Sequence, residues 1–270
     1  MIAVVVVMAT AAISLSGKTV LGDAQFSRYV PELKGKRVAI FSNQSGIVGD
    51  KVLKGKDFDL SGQKTFGPHL ADVMLKKKVN VTVIFSPEHG FRGNADAGAK
   101  VGNSIDAKTG VPIVSLYGSK NQPSEEDMSL FDVLLVDIQD VGLRYYTYYI
   151  TMYRLMDVCA KYDKKVIVLD RPNPNGFYVD GPVLDMNYKS DGGRCNLEVV
   201  PCRGYTHRDK YSLIMPPSPN LKTMRSVYLY SSLCFFEGTV ISLGRGTDHP
   251  FEMYGSPDMG IYSYRFRPES

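Results

Sequence analysis

The feature of this sequence that most constrains its fold is a set of five strand-like runs that are almost continuously apolar. Val, Ile and Leu follow one another in these runs without the polar alternation of a half-exposed strand, so each run fits a strand covered on both faces. Segments 68–78 and 146–163 show apolar residues at three- and four-residue spacing, as amphipathic helices do. Alternating strands and helices predict an α/β fold with a mainly parallel sheet and helices on both faces. The predicted strands are residues 36–42, 79–85, 111–117, 132–138 and 164–170.

Length and composition are those of an ordinary soluble globular protein. The chain has 270 residues, of which 44% are hydrophobic and 22% charged, and its net charge is +4. This length allows one large domain or two smaller ones. The basic residues are scattered, and the three lysines at 76–78 fit a solvated helix end, so no nucleic-acid partner is predicted.

The amino terminus bears on where the protein acts. The stretch "MIAVVVVMATAAIS" has the length of the apolar region of a secretory signal and is too short to span a bilayer comfortably. We therefore predict a signal-peptide-like segment at residues 1–21, export to the periplasm or the extracellular space, and no stable membrane span in the mature chain. Because the usual positive charges at the start are lacking, a first β-strand and a misassigned start remain open as alternatives.

The cysteines and histidines do not indicate a metal site. Cys159, Cys195, Cys202 and Cys234 show neither a CxxC pair nor zinc-ligand spacing, and the four histidines are isolated. In an exported protein Cys195 and Cys202 could form a disulfide, and free buried thiols fit the sequence equally well.

Polar and ionisable residues follow four of the five predicted strands. The carboxyl ends of parallel strands meet at one rim of the sheet, which is where α/β folds bind ligands. Four such ends converging on one rim predict a functional site. The residues are Ser42, Asn43 and Gln44 after the first strand, Glu88, His89 and Arg92 after the second, Asp137, Gln139, Asp140 and Arg144 after the fourth, and Asp170, Arg171 and Asn173 after the fifth.

The motifs missing from this rim narrow its chemistry. No GxGxxG and no GxxxxGK[ST] loop follows a strand, so no dinucleotide or nucleotide site is predicted. What remains is carboxylate chemistry, such as the proton donation to a leaving oxygen that glycoside hydrolysis requires. Glu88, in the glycine-rich stretch "FSPEHGFRGNADAGAK", is the candidate donor. The rim arginines could bind a substrate carboxylate, although Glu88 and Arg92 could equally pair with each other at the surface.

Several long motifs run in order from about Gly22 to the carboxyl terminus. They include "KGKRVAIFSNQSGIVG", "IFSPEHGFRGNADAGAKV", "LLVDIQDVGLRYYTYYITM", "VIVLDRPNPNGFYVDGPVLD" and "LCFFEGTVISLGRGTDHPFEMYGSPD". Together they resemble the exo-β-N-acetylmuramidases of the NamZ type, a bacterial family. The resemblance implies a Rossmann-like domain at 22–185, a smaller α/β domain at 186–270 and a cleft between them.

The same resemblance implies an activity. Family members remove N-acetylmuramic acid from the non-reducing ends of peptidoglycan fragments without a cofactor, so muropeptides or disaccharides are the expected partners. The family's proposed catalytic glutamate lies in its Ser-Pro-Glu-His-Gly element, which is Glu88 here. Asp140 is the leading candidate for a second acidic role, with Asp137 and Gln139 as competitors; capping of the following helix is an equally good reading of Asp140.

The lactyl carboxylate of N-acetylmuramic acid calls for a cation in the site. Arg144, Arg171 and Arg245 are the predicted candidates, with Arg92 behind them, and Arg144 ranks first because it closely follows "DIQDVG". In the second domain His207, Asn220, Glu237 and residues 245–247 are expected to face Glu88 across the cleft. The predicted substrate-binding residues are Asn43, His89, Arg92, Gln139, Arg144, Asp170, Arg171, Asn173, His207, Asn220 and Arg245.

Two departures from the family pattern leave a second function open. After "GPVLDMNYKS" the family usually continues into a further segment, whereas Ser190 here runs directly into "DGGRCNLEVV", and the sequence stops at "YRFRPES" where members typically continue. We therefore expect an incomplete second domain. The two hypotheses are an exo-acting glycoside hydrolase with Glu88 as general acid/base, and an inactive or merely muropeptide-binding relative.

Overall fold

One seven-stranded sheet forms the centre of the computed structural model, which describes residues 18–49, 67–92, 103–182, 195–260 and 263–269. The strands are β1 (Arg37–Ser42), β2 (Asn80–Ser86), β3 (Ser104–Ile105), β4 (Pro112–Ser115), β5 (Val133–Asp137), β6 (Lys165–Leu169) and β7 (Asn196–Val200). Their order in the sheet is β3-β4-β2-β1-β5-β6-β7, and every neighbouring pair is parallel except β3 and β4. The predicted mainly parallel sheet is confirmed.

The five predicted strands correspond to β1, β2, β4, β5 and β6, and their bounds agree within two residues. The sequence patterns missed β3, which is only two residues long, and β7, which lies at the edge of the sheet. In β7 the side chains of Leu197 and Val199 are 44% and 45% exposed, and Glu198 lies between them. A strand exposed in this way lacks the continuous apolar run from which the other strands were predicted.

Helices cover both faces of the sheet, as predicted. On one face Tyr29 and Leu70 pack with Ile40, and on the other Leu155 packs with Phe41, because successive side chains of β1 point to opposite faces. The helices are α1 (Phe26–Tyr29), α2 (Leu70–Lys76), α3 (Glu125–Ser129), α4 (Tyr148–Lys161) and α5 (Met224–Leu233), with 3₁₀ turns at Gly22–Ala24, Val30–Leu33 and Cys234–Phe236. The two predicted helical segments are confirmed as α2 and α4.

The topology creates a crevice at the carboxyl ends of β1 and β5. The chain builds outward from β1 through β2 to β4 and, in the other direction, from β5 through β6 to β7. The adjacent strands β1 and β5 therefore mark the point where the strand order reverses, and ligands of open α/β sheets bind at such points. Ser42 and Asp137 are register partners at the ends of these two strands.

The chain after β7 packs over this end of the sheet. A third hydrophobic cluster joins Val141 and Tyr148, from the connection between β5 and α4, to Leu221, Val227 and Phe251 from the later part of the chain. Residues from the middle and from the later part of the sequence are thus held against the strand ends where the site was predicted.

Some predicted features lie outside the described residues. These are residues 1–17 of the signal-like segment and the departure after Ser190. Residues 18–21 of the same segment are described, and among them Val20 pairs with Arg203 and Leu21 is buried. β7 lies beyond the predicted boundary after residue 185 and pairs with β6 along its whole length. Within the described ranges no helix has the length and apolar character needed to cross a bilayer.

Candidate functional site

A tight turn at the carboxyl end of β2 presents Glu88. The carbonyl oxygen of Pro87 accepts a hydrogen bond from the Gly90 N–H at 3.2 Å, so the chain reverses within four residues. His89, the third residue of the turn, has a φ of 71°. This left-handed conformation is unfavourable for a residue with a side chain and is concentrated at functional sites. Glu88 is partly exposed, whereas Pro87 and His89 are buried.

Glu88 faces a cavity of about 360 Å³. Three parts of the chain line it: the turn after β2, residues 145–148 at the start of α4, and the segment beyond β7. Four predicted site residues, Glu88, His89, Asn220 and Arg245, lie together on its wall, and so does Glu237. A pocket lined by aromatic rings and a few convergent polar groups is typical of small-molecule sites.

The Glu88 carboxylate has a hydrogen-bond partner that the sequence patterns did not indicate. The hydroxyl of Tyr117, just beyond β4, hydrogen-bonds Glu88, and this contact raises the pKa of Tyr117. A phenol carries its hydrogen at neutral pH, so in this contact the Tyr117 hydroxyl is the donor and the Glu88 carboxylate the acceptor. Since β4 lies beside β2, its carboxyl end belongs to the same rim, and the prediction overlooked Tyr117 because only four strand ends were considered.

A group of tyrosines forms a further part of the wall. Tyr146 donates its hydroxyl hydrogen to the carbonyl oxygen of Pro217 at 2.8 Å, and Tyr145 donates to that of Ser231 at 2.6 Å. Tyr148 also lines the cavity. Tyr146 and Tyr148 were predicted only as part of a helix and Tyr145 was not singled out, although the run "YYTYY" directly after "DIQDVGLR" was the available signal.

Asn43 is held rigidly at the end of β1. Its Oδ1 accepts hydrogen bonds from the Ser45 N–H at 2.9 Å and from the Ser45 hydroxyl at 2.6 Å. The Ser45 Oγ itself accepts from the Gln139 N–H at 2.9 Å, which links β1 to the loop after β5. Because a backbone N–H can only donate, Oδ1 is the accepting end of the amide. Nδ2 is then left without a hydrogen-bond partner among the residues that the structure describes.

His69 supports the same corner. Its Nδ1 accepts a hydrogen bond from the Ala71 N–H at 3.2 Å, which caps α2, and its Nε2 lies 2.8 Å from the Asn43 carbonyl oxygen. Burial lowers the pKa of His69 to about 4, so the imidazole is neutral and Nε2 carries the hydrogen. His69 thus fixes the backbone of Asn43, a role that an isolated histidine in the sequence did not reveal.

Asp140 lies in an environment that favours its protonated form. Oδ1 accepts a hydrogen bond from the Gly142 N–H at 2.7 Å, while buried Oδ2 has no such partner in the described ranges. Burial raises the pKa of Asp140 to about 6 in spite of this backbone contact. Asp140 does not line the cavity, but its charge raises the pKa of Tyr148, which does.

Arg171 lies just beyond the end of β6 in a buried cluster of charges. Its guanidinium is bound to Asp137 at 2.6 Å and to Asp23 at 2.9 Å, and all three side chains are at most 2% exposed. Burial raises the pKa of Asp23 to about 7, against the lowering effect of Arg171. In this position Arg171 joins the ends of β5 and β6 and does not line the cavity.

The other predicted residues after β5 and β6 make contacts within the protein. The Gln139 amide donates to the carbonyl oxygen of Pro172 at 2.9 Å, and the Asp170 carboxylate accepts from the Cys202 N–H at 2.9 Å. The Asn173 Oδ1 accepts from the Asn175 N–H at 2.9 Å. These hydrogen bonds shape the strand-end loops behind the cavity.

The predicted cations divide into three groups by position. Arg245 lines the cavity, where its Nη2 donates to Glu237 at 2.7 Å and its guanidinium lies 4.9 Å from the Phe251 ring centre. Arg92 instead pairs with Asp72 and Asp106, so the predicted pairing alternative, Arg92 with Glu88, is not the one found. Arg144, like His207 in the later segment, is exposed and does not line the cavity.

The cysteines are all free thiols, so of the two alternatives the structure has the one without a disulfide. The Cys202 thiol donates to the Asp170 carbonyl oxygen at 3.1 Å, and Cys234 lines the cavity. No group of three or more His, Cys, Asp or Glu side chains suited to a metal ion occurs in the part of the chain that the structure describes.

Comparisons with known proteins agree on one family. The family model for the amino-terminal domain of the exo-β-N-acetylmuramidase NamZ matches residues 58–196, and the model for its carboxyl-terminal domain matches residues 228–267. The peptidoglycan β-N-acetylmuramidase NamZ of Bacillus subtilis (strain 168) is 35% identical over 266 residues. That match covers 87% of this chain and 60% of the Bacillus protein, so the chain spans about 60% of the length of this relative.

Two crystal structures of DUF1343 family proteins from Bacteroides fragilis are also similar. One is 48% identical, with a TM-score of 0.77 over 94% of this chain and 71% of the other. The second is 29% identical, with a TM-score of 0.68 over 88% of this chain and 65% of the other. These similarities agree with the Rossmann-like sheet described above.

Proposed function

The chain belongs to the exo-β-N-acetylmuramidase NamZ family, and we propose that it is an exo-acting glycoside hydrolase that releases N-acetylmuramic acid from the non-reducing ends of peptidoglycan fragments. The observation that carries the proposal is the position of Glu88. It stands on a strained turn, is oriented by Tyr117, and shares one cavity with Arg245.

In the proposed mechanism Glu88 is the general acid/base. Its carboxyl group gives a proton to the glycosidic oxygen as the bond to the sugar breaks, and the carboxylate then takes a proton from the incoming water. The Tyr117 hydrogen bond holds the carboxyl group in one orientation during both transfers. A general acid positioned in this way is worth about 10²–10⁴ in rate.

We assign the second acidic role to Asp140. Its pKa of about 6 allows it to change protonation near neutral pH, and its charge acts on the cavity through Tyr148. Asp137, the competing candidate, is occupied by Arg171. Asp140 therefore acts on the electrostatic potential at Tyr148, in the lining of the cavity, and does not touch the leaving oxygen.

Arg245 is the proposed receptor for the lactyl carboxylate that distinguishes N-acetylmuramic acid from N-acetylglucosamine. Its pair with Glu237 uses one nitrogen, and a guanidinium carries five N–H donors, so the group retains the capacity to bind a second carboxylate. Asn220, on the same wall, supplies a neutral amide for the sugar hydroxyl groups.

The proposal extends to the setting of the reaction. It needs no cofactor, since proton transfer and charge stabilisation by side chains are sufficient for glycoside hydrolysis. Peptidoglycan lies outside the cytoplasmic membrane, so we propose that the protein is exported, which agrees with the apolar amino terminus. Fractionation of cells producing a carboxyl-terminally tagged chain tests this, and retention in the cytoplasm would contradict it.

Two chromogenic aryl β-glycosides, of N-acetylmuramic acid and of N-acetylglucosamine, test the activity. The proposal predicts release of the chromophore from the first and much slower release from the second. Calorimetric titration with muropeptides separates the alternative function, because binding without hydrolysis of either glycoside would favour the muropeptide-binding relative.

A further inference from the structure

We propose that the hydroxyl of Tyr148 determines specificity for the acetamido substituent of the sugar, by donating a hydrogen bond to the acetamido carbonyl oxygen. The inference rests on the proposed glycosidase function and assigns a role to a residue that neither the sequence motifs nor the family resemblance singled out. Three observations support it: Tyr148 lines the cavity, its hydroxyl has no well-formed hydrogen bond, and the neighbouring side chains do not accept its hydrogen.

Tyr148 combines burial with access to the cavity. It is only 3% exposed, its ring packs against that of Tyr146 with centres 4.8 Å apart, and it lines the cavity that contains Glu88. Its hydroxyl makes no hydrogen bond of ordinary geometry to the described residues, although the Tyr146 hydroxyl and the Asn43 amide lie close enough to affect its pKa. A buried polar group left in this state costs about 1–3 kcal/mol, so native proteins rarely keep one without a use for it.

The hydroxyl is a donor at every pH at which the protein could work. Burial raises the pKa of Tyr148 far above its ordinary value, and the charges of Glu88 and Asp140 raise it further. The nearby Tyr146 hydroxyl and Asn43 amide act in the opposite direction. A phenol that cannot ionise carries its hydrogen permanently and is available to a ligand oxygen.

The surroundings leave that hydrogen for the cavity. Oδ1 of Asn43 is held by Ser45, so the amide end on offer to Tyr148 is the donor Nδ2, which competes for the phenol oxygen and not for its hydrogen. The neighbouring Tyr146 uses its own hydrogen on Pro217, and its oxygen, although close to the Tyr148 hydroxyl, makes no hydrogen bond of ordinary geometry with it. The Tyr148 O–H therefore lacks a well-placed acceptor within the described part of the protein and can donate to one that enters beside Glu88.

The acetamido carbonyl is the ligand group that fits. In a 2-acetamido sugar this group is attached to the carbon next to the anomeric carbon, whose leaving oxygen must lie at Glu88. Its carbonyl oxygen is a stronger acceptor than a sugar hydroxyl. A sugar with a free amine at the same carbon presents an ammonium group, which can only donate, and would leave the Tyr148 hydroxyl unsatisfied.

Affinity measurements with two monosaccharides test this without relying on turnover. Titration of the wild-type protein with N-acetylmuramic acid and with muramic acid, its N-deacetylated form, should show about tenfold tighter binding of the acetylated sugar, as expected for one hydrogen bond. Tyr148→Phe should remove most of this preference. Tyr149→Phe is the matched control, because its hydroxyl donates to the Arg144 carbonyl oxygen and it does not line the cavity.

The outcomes are separable. The inference is contradicted if Tyr148→Phe keeps the wild-type preference for N-acetylmuramic acid over muramic acid, or if the wild type shows no such preference. In either case hydrolysis of the muramic acid glycoside would leave the proposed function intact. A wild type that binds neither sugar and cleaves neither glycoside contradicts both. The melting temperature of Tyr148→Phe should stay level or rise, because the change removes an unsatisfied buried hydroxyl.

A thioacetamido analogue of N-acetylmuramic acid, whose sulfur is a weak hydrogen-bond acceptor, should bind the wild-type protein less tightly than the acetamido sugar does. Unchanged affinity would contradict the inference.

Discussion

Arg171 donates two parallel hydrogen bonds to Asp137, from Nε to Oδ1 at 2.6 Å and from Nη2 to Oδ2 at 2.9 Å. The pair joins the ends of β5 and β6, and Asp23 adds a second carboxylate from the segment before α1. Paired geometry of this kind suits the planar guanidinium and cannot be reproduced by lysine.

Arg171→Met should therefore destabilise the fold strongly. Removing the cation leaves two buried carboxylates without compensation, and breaking a buried ion pair in this way typically costs about 3–5 kcal/mol. Urea denaturation measures the loss. Arg144→Met is the control on an exposed arginine and should change the free energy of unfolding by less than about 0.5 kcal/mol. Equal stability of the two variants would mean that the Arg171 cluster is not a structural centre.

Arg92 should act as an anchor for the Glu88 turn. It pairs with Asp106 at 2.7 Å and Asp72 at 3.0 Å, and these carboxylates are 4% and 13% exposed. Arg92→Met should lower both stability and the rate of glycoside hydrolysis, since the turn would lose its connection to α2. Arg37→Met is the matched control, because its pair with Asp132 is exposed and should contribute at most about 1 kcal/mol. If Arg92→Met lowers stability but keeps full activity, Arg92 does not position the Glu88 turn for catalysis.

Arg245 should govern the choice between two sugars. Arg245→Met is expected to lower kcat/KM for the muramic acid glycoside at least tenfold while leaving the slower N-acetylglucosamine glycoside nearly unchanged. Arg245→Lys should be intermediate, because lysine keeps the charge but loses the paired donors. If both glycosides lose rate in the same proportion, Arg245 supports the cavity wall and does not read the lactyl carboxylate.

The free energy of unfolding should depend on pH through Asp140. Its pKa is about 6 in the folded protein against an ordinary 3.8, so the folded state holds the proton more tightly and stability falls as pH rises from about 4 to about 6. Asp140→Asn should reduce the change in the free energy of unfolding between about pH 4 and about pH 6, by up to about 3 kcal/mol. Asp180→Asn, at an exposed aspartate, should leave the profile unchanged. Parallel profiles for wild type and Asp140→Asn would contradict the assignment.

The fold was predictable where burial dictated composition. Runs such as 132–138 are covered on both faces and can hardly be anything except central strands, whereas β7 carries Glu198 at an exposed edge and left no such pattern. The convergence of Glu88 with Asn220 and Arg245 was predicted from strand ends and family motifs together, because the strand-end rule locates residues only up to β6.

The roles of individual rim residues were less predictable for a physical reason. Spacing places Arg92 and Arg171 near the rim but does not say which carboxylates they meet, and Asp72, Asp106 and Asp23 reach them from distant parts of the chain. Likewise, Tyr117 and His69 act through contacts that depend on the order of strands in the sheet. Only the three-dimensional structure shows these pairings.

The most direct test of the account compares Glu88→Gln with wild type on substrates whose leaving groups differ. In a β-linked disaccharide of N-acetylmuramic acid the leaving group is a sugar alkoxide, which departs poorly unless it is protonated. In an aryl glycoside the leaving group is an acidic phenol, whose departure depends far less on proton donation. The account predicts that Glu88→Gln loses about 10²–10⁴ in kcat/KM on the disaccharide, loses much less on the aryl glycoside, and keeps the wild-type melting temperature. Near wild-type cleavage of the disaccharide by Glu88→Gln would contradict the assignment of Glu88 as the proton donor.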